Sequence, residues 1–296
     1  MEEIKVQVKE NWKPFCSIGL GLLGTGYVLI RSKQWYTKRL LRKKWDSLPK
    51  DTVYLHQFHR SATCPSPSPY VLKLESYLRA TQIPYTTGFD QAQGPKGKAP
   101  WMTINGHDLS DSQLCINFLN DKFDKDLDSH LSAEQKATSH CVRIMIEEHY
   151  MWAFAMDRYV FSNQDFTKWL VLPGIPKCLI NSLVKMFSSM VKKGAYVQGI
   201  GRHNRKDIEA FGLTDLGFVS TILGNKKYLF SDERLSEVDL IIFATVAEIL
   251  TCSPDSSIYA IAIKNDFPNL ERHFLMMKNQ LWPDWENPKN EMMEKE

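Results

Sequence analysis

One short segment, residues 97–113, restricts the fold of this chain more than any other. Ala99-Pro100 heads a β-prone run, and a proline fits a strand only at its start or at a sheet edge. Asn105-Gly106 predicts a tight hairpin, because a type I′ turn needs positive φ at both central residues. Ser110 stands three residues before a glutamine, a spacing typical of a capped helix start. The segment is therefore predicted to run strand, turn, strand, helix.

The preceding residues predict a strand, a helix and a second strand. Residues 52–58 alternate as a strand does. Ser68-Pro69 has the pattern of an N-cap followed by proline at the first helical position. The helix that follows carries apolar residues at helical spacing, and Ile83-Pro84-Tyr85 opens the next strand. Together with residues 97–113, this order predicts a thioredoxin-like domain.

The second half of the chain has helical patterning throughout. Residues 133–160 are predicted to form one long helix. Ser236 and Asp239 have the spacing of a capping box, with Leu235 placed to pack on the first turn. The predicted fold class is α+β, with an all-helical second domain. The predicted divisions are an N-terminal segment 1–50, a thioredoxin-like domain 51–127, a helical domain 128–285 and a tail 286–296.

The composition is that of a protein with an ordinary hydrophobic core. The chain has 296 residues, 43% of them hydrophobic, which is enough for a core that needs no disulfides. Six scattered cysteines show neither a CxxC pair nor zinc-ligand spacing, so the sequence predicts a reducing compartment and no metal site. No P-loop, GxSxG or HExxH motif is present.

The N-terminal segment is predicted to be a membrane anchor. Residues 15–30 carry no charge and as a helix would rise about 24 Å, which spans a bilayer with local thinning. Residues 31–50 carry eight basic residues and one acidic residue, which by the positive-inside rule leaves the body of the chain in the cytosol. The expected location is the mitochondrial outer membrane or the ER. A buried or surface-lying helix is the alternative, and a cleaved signal peptide fits less well.

Two partner predictions follow from the same segment. Small residues spaced four apart permit close helix–helix approach and thus self-association, through Ser17, Gly21 and Thr25. The basic residues are concentrated beside the hydrophobic segment, while residues 51–296 carry about four net negative charges. Nucleic-acid binding favours basic residues on the folded domain itself, so no nucleic-acid partner is predicted.

The sequences of several motifs resemble those of a known family. The similar stretches are Ser68–Arg79, Ile83–Tyr85, Gly97–Gly106 and Ser110–Ser112. They resemble the N-terminal half of the glutathione-transferase fold and, more closely, the failed axon connections family, which is related to the metaxins. The resemblance runs over residues 51–285. It implies a non-catalytic interaction or adaptor role with unknown protein partners, in axon development or at an outer membrane.

The same resemblance also implies an alternative, an active glutathione transferase. Ser68 matches the residue that holds the glutathione thiolate, and Cys64 is a second candidate thiol in the same loop. Pro100 corresponds to the family's cis-proline, and Trp101 beside it is counted with the glutathione-binding residues. Asp111-Ser112 matches the pair that binds the γ-glutamyl carboxylate at a helix N-terminus. Ordinary helix capping explains Ser68 and Asp111-Ser112 equally well.

Overall fold

A computed structural model describes residues 32–33, 35–61, 63–162, 177–254, 256–289 and 291–292. The chain divides into a unit that ends at Lys50 and a unit that begins at Asp51. In the first unit residues 35–46 are helical, and Arg42 Nε lies 2.8 Å from Asp46 Oδ2, one helical turn away.

The second unit contains a mixed five-stranded sheet in the order β4-β3-β1-β2-β5. Parallel pairing joins β1 to β2, and the other pairs are antiparallel. The predicted tail thus contributes an edge strand that its polar sequence did not indicate. The strands are β1 Val53–His56, β2 Tyr85–Gly88, β3 Trp101–Ile104, β4 His107–Ser110 and β5 Glu291–Met292.

The helices follow the predicted order. Two of them accompany the sheet, α1 Pro69–Thr81 and α2 Ser112–Phe123. The long predicted helix is continuous from 133 to 161, with π-helical turns at 145–150 and 157–161 around α4. The remaining helices are α3 Ala133–Ile144, α4 Met151–Met156, α5 Lys177–Gln198, α6 Arg205–Leu223, α7 Glu237–Thr251, α8 Ile258–Asn265 and α9 Pro268–Leu281, with a 3₁₀ turn at Ile200–Arg202.

Helix α7 lies at the centre of the core. Its residues from Glu237 to Ile249 are all buried, and α1 packs against it. A helix that is buried on every side is stable only when other elements surround it, as they do here. The arrangement of a sheet with α1 and α2, followed by a helical half built around α7, confirms the predicted α+β fold.

The predicted hairpin is confirmed and the predicted helix cap is corrected. Asn105 and Gly106 both have positive φ, 48° and 83°, and the turn joins β3 to β4. Asp111, and not Ser110, is the N-cap of α2. Ser110 is the last residue of β4 and pairs with Trp101. It therefore lies one residue before the position that caps α2.

The structure also corrects the prediction of a single-pass membrane protein. Among the described residues no helix is both long enough and apolar enough to cross a bilayer. The longest of them, α5, has 22 residues but includes four lysines, whereas apolar α7 has only 15 residues. Fifteen residues rise about 22 Å, less than the roughly 30 Å hydrocarbon core. Residues 15–30, including Ser17, Gly21 and Thr25, lie outside the described part of the chain.

Candidate functional site

Strands β3 and β4 bring two of the predicted site segments together. The Ala99–Pro100 peptide bond is cis, as the resemblance implies. Trp101 pairs with Ser110, and the Asp111 backbone N–H donates to the Pro100 carbonyl at 3.4 Å. The entrance of β3 and the beginning of α2 therefore lie side by side at one edge of the hairpin.

The Asp111-Ser112 pair forms the start of α2. The Asp111 carboxylate accepts hydrogen bonds from the backbone N–H groups of Gln113 and Leu114, at 3.0 and 3.1 Å. Asp111 has φ 89°, an unusual conformation for a non-glycine residue and one that costs on the order of 1–3 kcal/mol. Ser112, the first helical residue, is buried. The Asp111 side chain thus acts as the cap of α2.

The Trp101 side chain is part of the core. Its indole ring stacks on His56, with centroids 3.4 Å apart and planes 3° from parallel. The indole N–H donates to the Gln91 carbonyl at 2.9 Å. The indole ring is therefore held by contacts within the protein.

Ser68 is the N-cap of α1, but its side chain does not act as a cap. Its backbone is extended (φ −129°, ψ 119°), and its carbonyl accepts the first helical hydrogen bond, from Leu72 N–H at 3.0 Å. The half-buried Ser68 side chain makes no cap hydrogen bond. Pro69 follows at the first helical position and has no N–H to donate. The hydroxyl of Ser68 therefore remains available at the positive end of α1.

A buried lysine that the sequence analysis missed connects α1 to α2. Lys73 Nζ donates to Gln113 Oε1 and to Glu147 Oε1, both at 2.6 Å. Burial lowers the Lys73 pKa, and the Glu147 carboxylate partly offsets this effect. One turn earlier, the Tyr70 hydroxyl donates to the Glu147 carbonyl at 2.8 Å. These contacts hold the first turns of α1 beside the start of α2.

The signal for Lys73 was present in the sequence. A lysine among the apolar residues of α1 has to find a buried carboxylate or amide partner, because an unpaired charge in a core is costly. Its partners come from the beginning of α2 and from the π-helical turn after α3, and no local pattern identifies them.

Cys64, the alternative thiol, is in an unfavourable environment for a nucleophile. The side chain is buried, and burial raises the Cys64 pKa well above its usual value. The nucleophile of a cysteine is its thiolate, so this shift opposes a catalytic role. Of the two candidates in the loop, Ser68 has the more suitable surroundings.

Comparisons with known proteins agree with this fold. Residues 69–165 match the family model of the Glutathione S-transferase N-terminal domain, and residues 212–277 match that of the Glutathione S-transferase C-terminal domain. Among solved structures, a Ceriporiopsis subvermispora glutathione S-transferase in complex with glutathione superposes with TM-score 0.54 at 14% identity. That alignment covers 77% of this chain and 96% of the other, and at this identity it shows the fold alone.

Two relatives align over longer stretches of sequence. Isoprene-epoxide–glutathione S-transferase of Rhodococcus sp. strain AD45 is 27% identical over 200 residues, 62% of this chain and 81% of the relative. Failed axon connections of Drosophila melanogaster is 32% identical over 251 residues, 80% of this chain. The alignment spans 60% of the length of the Drosophila protein. The chain belongs to the glutathione S-transferase-like family and is a homologue of Failed axon connections.

Proposed function

We propose that this protein binds glutathione, holds its sulfur as a thiolate at Ser68 and transfers the glutathionyl group to an electrophile. The observation that carries the proposal is the Ser68 hydroxyl, which makes no cap hydrogen bond at the N-terminus of α1. A serine that served only to cap its helix would direct its oxygen to a backbone N–H of the first turn. Here the oxygen is available for a ligand.

The proposed roles follow from the chemistry of each group. A hydroxyl donor and the positive end of a helix both favour a thiolate over a thiol. The backbone beside cis-Pro100 would pair with the peptide part of glutathione. Ser112 would bind the γ-glutamyl carboxylate through its hydroxyl, at the positive end of the α2 helix dipole. The thiol releases its proton to solvent, and the electron pair of the sulfur forms the new bond to the electrophilic carbon as the bond from that carbon to its leaving group breaks.

The relatives support this reading. One of them is named as a transferase that uses glutathione with isoprene epoxide, and a protein of the same fold has been solved with glutathione bound. An epoxide is an electrophile of the kind that a thiolate opens.

The test is a calorimetric titration of the full-length chain with glutathione, combined with turnover of a standard electrophile. We expect saturable binding, weakened by Ser112→Ala by at least about tenfold, which is about 1.4 kcal/mol. Ser68→Ala is expected to remove turnover and retain most of the binding. Ser132→Ala is the matched control, since Ser132 caps α3 through a hydrogen bond from the Gln135 N–H. Absence of saturable binding by the folded chain would refute the proposal.

A second candidate function, protein–protein interaction without catalysis, is favoured by one feature of α5. Four of its side chains recur at the spacing of a single helix face and are 52–72% exposed: Leu179, Met186, Met190 and Val197. An apolar stripe of this kind is typical of helix pairing. The homology to Failed axon connections supports an interaction role in axon development.

For this second candidate we take the partner to be a second copy of the chain. Sedimentation at increasing concentration is then expected to show a dimer that Met186→Lys with Met190→Lys disrupts. The control, Lys192→Ala, alters the same helix outside the stripe and is expected to leave the dimer intact. A wild-type chain that stays monomeric at all concentrations would contradict self-association through α5.

A further inference from the structure

Three potential metal ligands from distant parts of the chain meet inside the protein. Cys64 Sγ, Cys252 Sγ and a Glu248 carboxylate oxygen lie within 4.8 Å of one another. Cys64 belongs to the loop before α1, Glu248 lies in the last turns of α7, and Cys252 directly follows that helix. All three side chains are buried. The four-residue spacing places Glu248 and Cys252 on the same side of α7.

Only one of the two Glu248 carboxylate oxygens has a hydrogen-bond partner in the described part of the chain. Its Oε2 accepts a hydrogen bond from Arg158 Nη1 at 2.5 Å. Its Oε1 is fully buried and has no hydrogen-bond partner in the described part of the chain. A buried carboxylate oxygen without a partner is costly and calls for a bound ion or water. A cation between Oε1 and the two sulfurs would satisfy it.

Hydroxyl groups surround the sulfur of Cys252. Three hydroxyl oxygens lie near Cys252 Sγ: Thr63 Oγ1 at 3.5 Å, and Ser61 Oγ and Thr251 Oγ1 at 3.7 Å. Two thiolates and one carboxylate carry three negative charges, and the Arg158 guanidinium contributes one positive charge. A divalent cation brings the sum to zero, which favours burial of the whole cluster.

We propose that Cys64, Cys252 and Glu248 form a buried site for a thiophilic divalent cation, for which Zn²⁺ is the reference ion. Two sulfurs and one carboxylate oxygen are ligands that zinc accepts, and a water would complete tetrahedral coordination. On binding, each cysteine loses its proton to solvent and forms a metal–sulfur bond, with no change in oxidation state. The metal would fasten the loop that leads to Ser68 to the end of α7.

The proposal departs from the sequence analysis, which found no metal spacing. Zinc-site patterns depend on ligands close together in sequence. Here 184 residues separate Cys64 from Glu248, so only the fold brings the ligands together.

Metal binding is tested on the full-length chain purified under reducing conditions and stripped with a chelator. Titration with Co²⁺ is expected to produce thiolate-to-cobalt charge-transfer absorption that saturates at one ion per chain and that Zn²⁺ displaces. Cys64→Ser and Cys252→Ser are each expected to abolish this absorption. Glu248→Gln is expected to weaken binding by at least about tenfold, which is about 1.4 kcal/mol.

The chain provides matched controls. Cys115 is buried outside the cluster and Cys141 is exposed, so Cys115→Ser and Cys141→Ser are expected to leave the cobalt spectrum unchanged. If a cluster variant fails to fold, the wild-type spectrum alone shows whether thiolates bind Co²⁺. Three results would overturn the proposal: no charge-transfer band in the wild type, a band that persists in Cys64→Ser with Cys252→Ser, or a Cys64–Cys252 disulfide in the reduced protein.

Discussion

Helices α1 and α7 both begin after a serine, and the two serines are used differently. At α7 the backbone N–H and the hydroxyl of Ser236 both donate to Asp239 Oδ2, at 2.8 and 2.7 Å. The neighbouring Glu237 N–H donates to Asp128 Oδ1 at 2.7 Å. At α1 the Ser68 hydroxyl makes no cap hydrogen bond, and Pro69 has no N–H.

The difference separates a folding role from a ligand-binding role. The N-terminus of α7 is buried, and protein groups satisfy the polar atoms of Ser236 and Asp239. The N-terminus of α1 is half-buried and leaves a hydroxyl at the positive end of a helix dipole. Two serines that look alike in sequence are therefore expected to respond oppositely: one variant loses stability, and the other loses activity.

The largest expected effect is that of Asp239→Ala. The Asp239 carboxylate is fully buried and accepts from Ser236, from the Leu229 N–H at 2.8 Å and from His273 Nε2 at 3.2 Å. Its removal leaves several buried donors unsatisfied, so we expect the free energy of unfolding to fall by about 3–5 kcal/mol. Denaturant unfolding measures this change. Asp121→Ala on the exposed side of α2 is the control, expected to stay within about 0.5 kcal/mol of wild type.

The comparison of the single variants Ser236→Ala and Ser68→Ala is expected to show an intermediate difference in the free energy of unfolding. Loss of a working N-cap costs about 0.5–2 kcal/mol, so Ser236→Ala is expected to destabilise the protein by that amount. Ser68→Ala removes no cap hydrogen bond and is expected to change the free energy of unfolding by less than about 0.5 kcal/mol. Equal losses of stability in the two variants would contradict the proposed difference between the starts of α1 and α7.

The smallest expected effect is a pH dependence at the start of α7. Burial raises the pKa of Asp128 to about 6, and the hydrogen bond from Glu237 N–H lowers it in part. The folded state therefore binds this proton more readily than the unfolded state, whose carboxyl titrates near 3.9. The resulting contribution to stability is fully present below pH about 4 and is lost as the pH rises through about 6.

Asp128→Asn keeps an acceptor for Glu237 N–H and removes the titration. We expect the variant to gain stability relative to wild type between pH 4 and 7, by at most about 1 kcal/mol once solvent screening is allowed for. Thermal unfolding of both proteins across this pH range measures the difference. Parallel profiles would show that Asp128 does not titrate as described.

The sequence predicted most of the fold because its signals are local. Asn105-Gly106 needs positive φ, proline marks the starts of β3 and α1, and helical spacing marks the apolar faces. Two features that the sequence did not predict share one cause. Lys73 meets Glu147 and Gln113 only after folding, and β5 adds a strand through backbone pairing that side-chain patterns do not encode.

The site residues illustrate the same limit. The sequence placed Ser68 and Asp111 at helix starts, where capping and ligand binding use the same residue types. Only the structure shows that the Asp111 carboxylate is occupied by backbone N–H groups, whereas the Ser68 hydroxyl makes no cap bond.

The most direct measurement is the pH titration of the glutathione thiolate absorbance in complex with the full-length chain, compared between wild type and Ser68→Ala. We predict that bound glutathione ionises at lower pH than free glutathione in the wild type, and that Ser68→Ala shifts the titration back towards that of the free peptide. The same titration in both proteins, or no glutathione bound by the folded wild type, would contradict it.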